Sequence, residues 1–205
     1  MTPIPISLAV EDLLSEGVAR RLLLHSGKNF AVRVVYNRGG FGYLRKNAGG
    51  WNAAARGIPF FLLTDLDAEP CASSLLSQWI PKGVHPNMLA RVAVREIESW
   101  LLADAHAFAS FLGISLGSVP ERPETLGDPK AELIKLAAKS RRRDLKRRIV
   151  PAPQSTAKQG RDYNSCLIEY VTRQWNPEIA AENAPSLRRC IERLQSFQPL
   201  WPESH

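Results

Sequence analysis

Asp65 and Asp67 stand one residue apart at the end of an apolar run, Ile58-Pro-Phe-Phe-Leu-Leu-Thr-Asp-Leu-Asp67. Carboxylates so close repel one another, and a hard divalent cation is the usual counter-charge. The plainer alternative is a pair of turn aspartates, one of them capping the next helix. Two more acids shift the balance. Glu11 follows the apolar run Ile4–Val10, and Glu98 lies just past another at residues 89–94. If those runs are parallel strands, four carboxylates from three strand ends gather on one sheet edge, where ligands of open α/β sheets bind. Glu11, Asp65, Asp67 and Glu98 could then hold Mg²⁺ or Mn²⁺ with room for water and a phosphate, a set suited to phosphodiester hydrolysis.

The elements that must carry these acids can be read in order. Ile4–Val10 is a first strand, and Asp12 or Ser15 caps a helix to about Ser26 with Leu14, Val18, Leu22 and Leu23 inward. Phe30–Tyr36 is a β-branched strand, Asn37-Arg-Gly-Gly-Phe-Gly42 a sharp turn, and the next helix holds Trp51. Four consecutive apolar residues between Pro59 and Thr64 suit a strand buried on both faces. A helix over 71–79 and a strand over 89–94 follow. Strands alternating with helices at this pitch mean an α/β fold with a mainly parallel sheet flanked by helices. Beyond it come a helix from Glu96, a continuation capped by Asp104 and ending near Gly113, a proline-punctuated loop, a basic helix, and helices from Tyr163 and Ser186. The expected organisation is an α/β core over 1–112 and a helical appendage over 113–205.

The net charge of +7 is local. Residues 130–150 hold nine Lys and Arg against Glu132 and Asp144, so this segment accounts for the whole excess. Lys130, Lys139, Arg141, Arg142 and Arg143, with Lys158 further on, are the candidate nucleic-acid contacts; a solvated helix face or a dock for an acidic protein is the alternative. The 3 cysteines match neither a disulfide framework nor a metal motif, and the 4 histidines show no zinc spacing. Reduced thiols, no apolar run of membrane-span length and no basic signal-peptide start lead to a cytoplasmic expectation, with no membrane partner and no indication of oligomeric state. The five tryptophans sit mainly among apolar neighbours and read as core.

Val10-Glu-Asp-Leu-Leu-Ser-Glu16, Leu63-Thr-Asp-Leu-Asp67 and Val94-Arg-Glu-Ile-Glu-Ser-Trp-Leu-Leu-Ala-Asp104 together resemble the Toprim domain of topoisomerases, primases and the overcoming-lysogenization-defect nucleases. With Asp128-Pro-Lys130, Lys139-Ser-Arg-Arg-Arg143 and Gly160-Arg-Asp-Tyr-Asn164, the likeness extends over most of the chain to a bacterial Toprim-like family of unassigned function. The resemblance implies a Toprim-like, Rossmann-like fold and a Mg²⁺-dependent nuclease or nicking enzyme of phage defence or genome maintenance. It also implies Glu11 as general base or metal ligand, Asp65 and Asp67 as ligands, and Glu98 completing the site. The chain departs from the nuclease pattern at Asp12, where a glycine usually stands, and at Glu16, which comes one residue late and can instead pair with Arg20. It contains no Gly-x-x-x-x-Gly-Lys-Ser/Thr, so an ATPase would be a separate chain.

Two other readings use the same residues. A non-catalytic module would bind nucleic acid or protein, its acids ordering a structural metal. A phosphatase of the haloacid-dehalogenase type also uses Asp-x-Asp after a strand, but there the motif ends the first core strand, whereas a βαβ unit with its own Glu precedes it here.

Overall fold

The computed structural model describes residues 2–37 and 39–201. Its first seven elements are β1 (Ile4–Val10), α1 (Leu13–His25), β2 (Phe30–Tyr36), α2 (Gly40–Ala54), β3 (Phe60–Asp65), α3 (Ala72–Trp79) and β4 (Met88–Ala93). The four strands form one sheet in the order β2-β1-β3-β4, every pair parallel. The fold is therefore a helix-flanked parallel α/β sheet of the Rossmann-like kind. β1 and β3 are central and nearly all buried, which is why they read as continuous apolar runs. β2 lies at an edge and leaves Val34 45 % exposed.

One face of the sheet is an aromatic layer. Ala9, Phe60, Leu62, Met88, Ala90 and Val92 pack with Leu44, Ala48 and Trp51 of α2 and Leu75 and Trp79 of α3. Small alanines at 9, 48 and 90 leave room for the large rings, and Trp51 meets Tyr36 at 5.3 Å between centroids. Four of the five tryptophans are core as expected; Trp201 is 50 % exposed.

Compact units divide the chain between 94 and 95 and again between 188 and 189, with residues 189–201 belonging to the first unit. The sequence places its boundary near 112. The physical reason for the difference is that α4 (Ile97–Ala103) and α5 (Ala105–Leu112) bury their large side chains within the second unit. There the indole of Trp175 donates to the Trp100 carbonyl (3.0 Å), and the Tyr170 hydroxyl donates to Leu101 O (3.2 Å). Asp104 caps α5 by accepting from Ala107 N at 3.2 Å, and Gly113 ends that helix at φ +64°.

The basic segment is two helices, not one: α6 (Pro129–Ala138) and α7 (Arg143–Ile149). Ser140 separates them, its hydroxyl donating to Leu112 O and accepting from Arg142 N. Such side-chain-to-backbone bonds compete with helix continuation. α8 (Tyr163–Arg173), α9 (Pro177–Asn183) and the start of α10 (Pro185–Gln195) follow.

Gly160 closes α7. Its N–H donates to Ile149 O (2.8 Å), and Asp162 N donates to Arg148 O (3.2 Å). A Cβ at 160 would lie against the Arg148 and Ile149 backbone, closer than any side chain tolerates. Gly160→Ala is expected to cost roughly 1–3 kcal/mol, as overpacking against rigid backbone does. Urea unfolding of the variant measures it, and an unchanged midpoint would refute the tight packing.

Candidate functional site

Strand order β2-β1-β3-β4 means that the chain leaves β1 toward β2 and then returns to the other side of β1 to lay down β3. The carboxyl ends of β1 and β3 thus flank the topological switch point, where flanking loops part and leave a crevice. Glu11 leaves β1 and Asp65 ends β3 at that point. The Glu11 carboxylate spans the gap: its Oε1 accepts from Thr64 Oγ1 (2.6 Å) and from Asp65 N (2.8 Å). Leu66 N is tied to Ala93 O (2.9 Å), so the chain beyond β3 stays in register with β4. The turn then puts Asp67 at φ +49°, a left-handed conformation that aspartate tolerates better than most residues.

Burial raises the Glu11 pKa above the carboxylate norm, the Thr64 and Asp65 bonds oppose this, and the Asp67 and Asp12 charges raise it further. Asp67 therefore lies within electrostatic reach of Glu11, and it is exposed. Asp12, the departure from the nuclease pattern, is committed elsewhere: it caps α1 by accepting from Ser15 N at 2.8 Å. Glu16 pairs with Arg20 (2.8 Å) and accepts from Asn37 Nδ2 (2.6 Å), so it braces α1. Gly39 takes φ +111° and Gly40 φ +62° at the start of α2, a tight turn whose geometry demands glycine.

Glu98 belongs to the second unit, in the first turn of α4, and is 4 % exposed. Tyr163 OH donates to its Oε1 (2.8 Å), and Lys130 Nζ stands 3.8 Å from the same oxygen and 5.1 Å from the centre of the Tyr163 ring. Glu96 accepts from Lys130 N (2.9 Å). Burial pushes the Glu98 pKa up to about 7 against the pull of Lys130. Lys130, a candidate phosphate contact in the sequence, thus serves as the buried acid's partner. Tyr163 is the member that sequence reasoning missed; the only signal was its place in Gly160-Arg-Asp-Tyr-Asn164.

Lys139, Arg141, Arg142, Arg143 and Lys158 are exposed in the second unit. Arg148 is not of this kind, because it is ion-paired to Asp144 (3.5 Å) and Asp162 (3.6 Å). Cys166 and Cys190 are buried free thiols, and exposed Cys71 caps α3. Among the described residues no three His, Cys, Asp or Glu side chains form a metal-ligating group, and no helix is long and apolar enough to cross a membrane.

Fold and site define a parallel α/β protein with acids at its switch point. Comparison with protein-family models, curated proteins and solved structures finds no match to this chain.

Proposed function

We propose that the β1/β3 edge is a Mg²⁺- or Mn²⁺-dependent site for phosphodiester hydrolysis of nucleic acid, in line with the Toprim resemblance. The supporting observation is Glu11 at the switch point, held by Thr64 and Asp65 and facing the charge of Asp67. The donor set fits such an ion in kind, since all its atoms are hard carboxylate oxygens. It fits in number too, because Mg²⁺ is commonly held by one or two carboxylates while water and substrate phosphate fill the rest. Asp65 and Asp67 would hold the ion, which when bound would polarise a phosphoryl oxygen and acidify water. Glu11 takes the proton of the attacking water, its raised pKa bringing it closer to a working base at neutral pH. Thr64 orients that carboxylate. An ATPase would act as a partner chain.

The second reading, a binding module without catalysis, draws on the lack of a three-ligand group among the described residues. Plasmid, single-stranded DNA and RNA incubated with Mg²⁺ or Mn²⁺ beside Asp65→Ala separate the two. Cleavage by the wild type alone supports hydrolysis; binding by both proteins without cleavage supports the module.

The exposed cations are proposed to track phosphates. Four contacts from Lys139, Arg141, Arg142 and Arg143 would give a log–log salt slope of about −3.6 on duplex DNA, and changing the three arginines to Ala should flatten it by about 2.7. Anisotropy titrations across salt measure this, and an unchanged slope would remove the arginines from the nucleic-acid surface.

A further inference from the structure

Arg91 lies in β4, opposite Leu63 of β3 and two residues before Ala93, the partner of Asp65. Its neighbours Ala90 and Val92 belong to the aromatic layer, and strand side chains alternate, so Arg91 points to the other face of the sheet. The Nε of its guanidinium is buried and has no hydrogen-bond partner. α10 comes close to the start of β4, where Arg193 donates to Pro86 O, and the charges of Arg189, Cys190 and Arg193 bear on Arg91; all lie in the first unit.

Arg189 and Arg193 are four residues apart on the helix and so share a face. Arg193 is braced: its Nη2 donates to Pro86 O (3.2 Å) and its guanidinium stands 5.8 Å from the centre of the Phe197 ring. Burial, then the charges of Arg193 and Arg189, lower the Arg91 pKa. Cys190 offers no compensating thiolate, because burial pushes its pKa up to about 12. Among the described residues no carboxylate is ion-paired with any of the three arginines, and exposed Glu192 on the same helix pairs with none of them.

Two like charges beside a third that carries an orphaned, buried donor are costly unless an acceptor of opposite charge completes them. The planar guanidinium fork matches a tetrahedral oxyanion better than it matches solvent. We propose that Arg91, Arg189 and Arg193 form an oxyanion site on the α10 face of the sheet that takes a phosphate group. The group comes from a nucleic-acid backbone or from free phosphate. This site stands apart from the acid edge and requires neither a metal nor cleavage.

The test titrates inorganic phosphate into the full chain by calorimetry and follows thermal unfolding, in EDTA and against chloride at equal ionic strength. Wild type is expected to bind phosphate and to gain thermal stability from it. Arg91→Met should weaken binding by at least about tenfold, the loss expected for one charged hydrogen bond. In chloride alone that variant should melt at or above the wild-type temperature, since it removes an unpaired buried donor and two repulsions. If Arg91→Met does not fold, the proposal fails on stability, because a merely structural arginine predicts that result. The double variant Arg189→Gln/Arg193→Gln provides an independent check through its phosphate affinity, which a structural role for Arg91 leaves unchanged. Wild type with no phosphate binding above the chloride control, or variants that bind it equally well, would overturn the site. A labelled oligonucleotide displaced by phosphate, and bound more weakly by the double variant, identifies the backbone as the source; phosphate binding without that displacement identifies free phosphate. Asp67→Asn should bind phosphate like wild type, so failure here is distinguishable from failure of the hydrolase reading.

Discussion

Glu11→Gln is expected to lower metal-dependent cleavage of nucleic acid by about 10²–10⁴-fold, the range of a lost general base. The substitution is chosen for what it keeps. A glutamine Oε1 can still accept from Thr64 Oγ1 and Asp65 N, so the bridge between β1 and β3 survives while the charge and the proton acceptor go. Asp67→Asn is the companion: asparagine tolerates φ +49° as well as aspartate does, and the exposed site imposes no packing cost. It should weaken Mn²⁺ binding by calorimetry with an unchanged melting temperature. Thr64→Val supplies the pH signature. The Thr64 bond lowers the Glu11 pKa, so its loss lets the pKa rise and moves the acid limb of the pH–rate profile to higher pH. Initial rates of plasmid nicking across pH measure both effects. A Glu11→Gln protein that nicks as fast as wild type would take Glu11 out of the chemistry.

Much of that site was legible because it depends on short-range rules. The run before Thr64 announced a doubly buried strand, and the acids after β1 and β3 are placed by parallel topology alone. The Glu16–Arg20 pair, the Asp12 and Asp104 caps and the end at Gly113 are likewise matters of spacing within one or two turns. What stayed hidden depends on distant partners. Tyr163 reaches Glu98 across 65 residues, and nothing in either local sequence marks the pair. The unit boundary escaped because α4 and α5 are apolar enough to suit a sheet-flanking helix, and only their tertiary neighbours decide where they belong. The break at Ser140 rests on an acceptor 28 residues away, so helical periodicity ran through it. The Arg91 cluster needed β4 to be laid beside the end of the chain.

The second large effect is a pH dependence of stability centred on Glu98. Its pKa moves from 4.5 to about 7 on folding, chiefly because burial penalises the charge, with Glu96 adding to the rise and Lys130 and Tyr163 opposing it. The folded chain therefore holds a proton that the unfolded chain has already released. Stability from this group is fully present below pH 4.5, falls as pH rises toward about 7, and is level above. A shift of this size corresponds to roughly 3 kcal/mol, at 1.36 kcal/mol per pKa unit. Glu98→Gln mimics the protonated form and keeps an acceptor for Tyr163, so its stability should exceed that of wild type at pH 8 and match it near pH 4.5. Glu11 shifts in the same direction, and comparing the variant with wild type at each pH removes its contribution. Lys130→Met removes the opposing charge, so the Glu98 pKa should climb and the decline extend to higher pH. Urea midpoints at pH 4.5, 6 and 8 for the three proteins give the curve. A wild-type profile parallel to that of Glu98→Gln would mean that Glu98 titrates normally and is solvated, and the buried cluster with Tyr163 and Lys130 would fall with it.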